Sequence, residues 1–167
     1  MSHQILFDVF RFQRAYLSML VDDIPDERMT QQPGGVSNHP AWQIGHLAGT
    51  LDNACAMMGG TKTLEESWGM RYGMGSKPTA ERGAYPSRAE LLKVLDDRRA
   101  AFTLLLERAP AERLNAPNPV ARVVDRMPTV GHMVRFLMLS HESMHLGQLA
   151  SWRKAAGMPE ALSKLGG

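Results

Sequence analysis

The 167-residue sequence has a single cysteine, Cys55, and no apolar run near the roughly 20 residues that a membrane span requires. One thiol excludes an intrachain disulfide and any thiolate metal cluster. There is no block of Lys and Arg to track a phosphate backbone, and the formal charge is only +2, which argues against nucleic acid as a partner. The N-terminal stretch carries Asp8, Arg11 and Arg14 rather than the apolar core of a secretory signal. A cytoplasmic protein with no membrane partner is expected. No alternation long enough for a sheet and no internal repeat is found, so the expected class is all-α.

What is present is helical periodicity. Ile5, Val9, Phe12, Tyr16 and Leu20 recur at helical spacing from Gln4 to Val21, where Asp22, Asp23 and Pro25 end the pattern. A second helix starts at Ser37-Asn38-His39-Pro40 and runs to Gly59-Gly60. Thr61 to Pro86 reads as a long loop with one short helical turn near Glu65, and a connection of that length is more often functional than idle. A capping box, Ser87-Arg88-Ala89-Glu90, opens a third helix that closes at Pro110. A proline-rich connection with a β-prone stretch, Val120 to Val124, leads to a fourth helix from Thr129 to Ala156. Gly157 and Pro159 stop it. The expectation is one domain over residues 1–167, a four-helix bundle with long crossover connections. Twelve methionines fit gap-filling in its core, and some could line a soft-walled pocket.

His141-Glu142-Ser143-Met144-His145 places two imidazoles four residues apart, about 40° around the helix and about 6 Å along it, so both project from one face. That spacing suits one divalent metal ion. His46 lies mid-way along the second helix among small and apolar neighbours and supplies a third ring. Three neutral imidazoles leave positions open on an ion, the pattern of a catalytic site. His39 reads as a helix cap or a surface residue, His132 as lying above the site, and His3 as close to the chain end; none joins the ligand set.

The same five residues match the zinc-protease string H-E-x-x-H. The remainder of such an enzyme is missing. Only 22 residues follow His145, Glu160 is their one carboxylate, and no further histidine occurs. Glu142 is therefore either a base beside the metal or an ion-pair partner of Arg135 or Arg153.

Asn38-His39-Pro40-Ala41-Trp42-Gln43-Ile44-Gly45-His46-Leu47, followed far downstream by His141-Glu142-Ser143-Met144-His145-Leu146-Gly147-Gln148, resembles the DinB-like (YfiT-like) metalloenzyme family. The likeness extends over most of the chain, including Gly73-Met74-Gly75-Ser76-Lys77-Pro78. It implies a four-helix bundle, a metal site on His46, His141 and His145, zinc or nickel ahead of other first-row ions, and a homodimer. It also implies a transferase or isomerase activity dependent on a low-molecular-weight thiol. Glu142 and Gln148 are then candidates to position the nucleophile, and Trp42, Arg71 and Lys77 to contact a small-molecule substrate. Arg71, Lys77 and Arg82 on the long loop could meet a carboxylate, or could be solvated loop charges. The competing functions are a hydrolase using water at the same metal, and a metal-binding or dimerisation module without catalysis.

Overall fold

In the computed structural model, which describes the backbone of residues 3–166 and the side chains of residues 4–163, the first helix α1 spans His3–Val21. Its limits match the periodic stretch, but the buried face is a different one. Leu6, Phe10, Gln13, Leu17 and Leu20 enter the core, whereas Ile5 and Phe12 stay 51% and 56% exposed. Two apolar stripes run along this helix. Long-range partners select between them, since Phe10 packs on Phe102 and under the guanidinium of Arg99. The side chain of His3 lies outside the described residues.

Helix α2 (Pro40–Met57) begins with proline in its first turn and His39 as its cap, the Trp42 N–H donating to Nδ1 of His39 at 3.1 Å. A seven-residue helix α3 (Glu66–Tyr72) occupies the long connection, where one short turn was expected. Helix α4 (Arg88–Glu107) opens on the capping box, with both reciprocal hydrogen bonds formed between Ser87 and Glu90. A five-residue helix α5 (Ala111–Asn115) follows. The β-prone stretch forms a 3-10 turn at Ala121–Val123, and among the described residues β pairing reduces to one isolated bridge between Pro117 and Thr129. The last long helix is not uniform. It consists of α6 (Val130–Phe136), a π-helical segment over Leu137–His141, and α7 (Glu142–Ala155).

The four long helices α1, α2, α4 and α6–α7 form an all-α bundle, with α2 packed on α4 and α1 on α7. Among the described residues no helix is long and apolar enough to cross a membrane. Buried ion pairs tie the layers. Glu142 of α7 meets Arg99 of α4, and the same guanidinium donates to the carbonyl of Phe10 in α1. Arg153, almost wholly buried, holds Asp23 and donates to the carbonyl of Leu20 at 2.9 Å. Arg98 of α4 reaches Asp52 of α2 at 3.2 Å, and that carboxylate also accepts the N–H groups of Thr63 and Leu64 where the long connection begins.

Candidate metal centre

Three rings meet where α2 faces the junction of the π segment and α7. His46, His141 and His145 each offer a nitrogen, and the three nitrogens lie within 4.8 Å of one another. His46 Nε2 stands 3.2 Å from His141 Nε2. Two ligands of a tetrahedral ion with bonds of about 2.05 Å would lie about 3.3 Å apart, so this spacing fits a shared ion. The outer nitrogens support the same tautomers. Nδ1 of His46 is 2.7 Å from the carbonyl of Tyr72, which can only accept, so this nitrogen carries the proton and Nε2 is left with its lone pair. Nδ1 of His145 faces Oε1 of Gln43 at 3.4 Å, while the Gln43 amide donates to the carbonyl of Asn38 at 2.7 Å. The Gln43 oxygen is thereby turned to accept from His145. These residues fit a divalent metal ion bound through three neutral imidazoles.

Burial keeps the rings neutral. His145 is pushed down to about 3 and His141 to about 4, mainly by desolvation and then by the neighbouring rings; His46 is also lowered, again mainly by desolvation. Their lone pairs are thus available to an ion at neutral pH. The Trp42 indole stacks on His46 at 4.8 Å between centroids, and its N–H donates to the Arg71 carbonyl at 3.1 Å and to Ser76 Oγ at 2.8 Å. Trp68 Nε1 donates to the carbonyl of Gly45 at 2.9 Å. Helix α3 is therefore pinned across α2, with the ring of Tyr72 filling the space where a side chain at Gly45 would stand; a Cβ there would lie 2.3 Å from it.

The cluster opens on a cavity of about 960 Å³ between α2 and the last helix, closed over by α3 and by the connection containing Val120 and Met127. Trp42, His46, Thr50, Asn53 and Met57 line it along one face of α2, and Met133, Leu137, His141 and Met144 line it opposite.

Of the expected site residues, the structure brings together His46, His141, His145 and Trp42. Gln148 sits beside them, accepting from Asn38 Nδ2 at 3.4 Å and interacting with His145. Glu142 is elsewhere: it is buried against Arg99, away from the cavity lining, and its ion-pair partner is neither Arg135 nor Arg153. Desolvation raises its pKa and the Arg99 charge opposes that rise. Arg71 and Lys77 are exposed and outside the lining; the Arg71 carbonyl accepts from Trp42 Nε1, and its charge acts on the Tyr72 hydroxyl. Arg82 is engaged by Asp26 and by the carbonyls of Tyr85 and Pro86. The cations of the lining are Lys62 and Arg122, neither singled out from the sequence. Gln43 was also missed; a glutamine one turn before His46, between Trp42 and Ile44, was the available signal. His39 is fully buried as a cap, not at the surface, and His132 is exposed, with Nδ1 2.7 Å from Thr129 Oγ1.

A family model described as the DinB superfamily matches residues 10–149, which include all three histidines. No curated protein and no solved structure matches the chain.

Proposed function

The chain belongs to the DinB superfamily, and from that premise we propose that it is a divalent-metal-dependent enzyme that transfers or isomerises small molecules with the help of a low-molecular-weight thiol. The observation that carries this reading is the open side of the three-histidine cluster, which faces a cavity large enough for a small-molecule ligand. A structural or dimerisation site would have a closed coordination sphere and no such cavity. When bound, zinc or nickel supplies Lewis acidity at that open side and stabilises an anionic nucleophile.

The residues of the chain prepare the site. Tyr72 and Gln43 fix the tautomers of His46 and His145, Trp42 holds the ring plane of His46, and largely apolar walls surround the open side. The cavity lining contains no carboxylate among the described residues, because Glu142 is sequestered by Arg99. No carboxylate there would take a proton from water. A thiol, with an ordinary pKa near 8.5, needs far less charge stabilisation than water to ionise, which favours thiol transfer over hydrolysis. Cys55 does not supply that thiol, being buried outside the lining with its pKa raised mainly by desolvation. The thiol therefore enters as a co-substrate. Its proton passes to solvent, an S–C bond forms at an electrophilic carbon, and the leaving group departs with its bonding electrons.

Metal analysis by plasma mass spectrometry on tag-free protein tests the reading. About one ion per chain is expected in the wild type, lost in His46→Ala and His145→Ala, with thiol-transfer assays on the loaded protein to follow. Wild-type protein that stays empty after incubation with zinc and nickel would end the metal-dependent reading.

A further inference from the structure

The charges around the cavity are one-sided. Its lining holds Lys62, Arg122 and the histidine cluster, and no Asp or Glu among the described residues. Elsewhere five arginines are matched to carboxylates, Arg14 to Asp96, Arg82 to Asp26, Arg98 to Asp52, Arg99 to Glu142 and Arg153 to Asp23, while Arg28, Arg88 and Arg135 donate to backbone carbonyls. Arg122 differs from these. It is exposed at the mouth of the cavity, and the acceptor it reaches is the thioether of Met74, 2.8 Å away on the facing connection. A thioether is a weak acceptor and uses only one edge of the guanidinium. Arg122 and His141 line the same cavity.

The remainder of the lining is largely apolar. Met57, Trp68, Met127, Phe136 and Leu137 are among the wall residues. The face of α2 that lines the cavity runs from Trp42 to Met57, about 22 Å at 1.5 Å per residue. The space is long and greasy, with a planar five-donor cation at one side of its mouth.

Resting on the metal-dependent reading above, we propose that the substrate is an elongated, mainly apolar molecule bearing a carboxylate, and that Arg122 binds this carboxylate while the apolar body lies along α2. The fork of a guanidinium matches a carboxylate in bidentate geometry, and the thioether of Met74 yields to it as the better acceptor arrives. Arg122 is a specificity residue in this scheme, close to the metal cluster but not a ligand of it.

The test uses decanoate, decanol and decyltrimethylammonium below their micellar concentrations. Binding is followed by the fluorescence of Trp42 and Trp68 in metal-loaded and in metal-stripped protein. The expected order is decanoate tightest and decyltrimethylammonium weakest. Arg122→Ala should weaken decanoate about tenfold and leave decanol unchanged, and Arg122→Lys should recover part of the loss. Because Arg122 is exposed, neither variant should disturb the thermal unfolding curve, which is measured alongside. If decanoate binds no better than decanol, or if Lys62→Ala weakens it and Arg122→Ala does not, the proposal is overturned. Decanoate affinity that vanishes on metal removal and ignores Arg122→Ala would make the ion the anchor and also overturn it. Failure of the functional reading looks different: a protein that takes up no metal yet still selects decanoate through Arg122 keeps the carboxylate site and loses the metalloenzyme.

Discussion

Single residues hold this site in tension with the solvent, and His39 shows how. It is fully buried, its Nδ1 caps α2, and burial pushes its pKa from the ordinary 6.5 to about 4. Above pH 6.5 the folded and unfolded chains are both neutral at this ring. Below 6.5 the unfolded chain takes up a proton that the folded chain refuses until about pH 4, so stability falls across that window. The loss attributable to His39 should reach roughly 3 kcal/mol near pH 4. Urea titrations of metal-free protein at stepped pH check this. His39→Asn retains a capping oxygen without titrating, so its stability should decline less steeply between pH 6.5 and 4; parallel profiles would contradict the assignment. Gly45 offers a second test. A methyl group there collides with the ring of Tyr72, whose carbonyl fixes His46. Gly45→Ala should cost about 1–3 kcal/mol of stability through overpacking. It should also weaken metal affinity, as isothermal titration would show.

Elements add what no residue carries alone. The buried pair Arg99–Glu142, with Phe10 beneath the guanidinium, joins α1, α4 and α7. Glu142→Gln leaves the Arg99 charge uncompensated in the core and should cost about 3–5 kcal/mol. Metal stoichiometry should remain at wild-type level. A variant of normal stability that fails to bind metal would instead put Glu142 in the site. This pair also marks where reading the sequence runs out. Local chemistry was legible: the ends of α1, the Ser87–Glu90 capping box, the Gly157 stop and the His141/His145 spacing all rest on neighbours a few residues apart. The choice of Arg99 for Glu142 rests on packing between two helices that brings together residues 43 apart in the chain, which no local window of sequence contains. The same holds for the buried stripe of α1, where Phe10 was selected over Phe12 by what lay opposite. The π segment was equally hidden. It depends on one shifted turn of backbone hydrogen bonds, to which Leu137–His141 carry no side-chain signature.

For the whole molecule, an ion bound only by the folded state stabilises that state by mass action. At a free concentration one hundred times the dissociation constant the gain is about 2.7 kcal/mol. For a domain of this size that raises Tm by about 5–10 °C. Differential scanning calorimetry with zinc or nickel against a chelator should show the shift, and His46→Ala should abolish it. The distribution of the three histidines along the chain also has a consequence in time. His141 and His145 sit on one turn, while His46 lies 95 residues before His141. A newly made or refolding chain can present the pair as soon as the π segment and α7 form, but the third ring arrives only when α2 docks and a long loop closes. An ion met early would be held loosely by two rings and gripped only at the end of folding. Metal uptake would then be a clock for the last docking step, and a chain emerging without its ion would still keep a doorway, through the cavity, by which to acquire one.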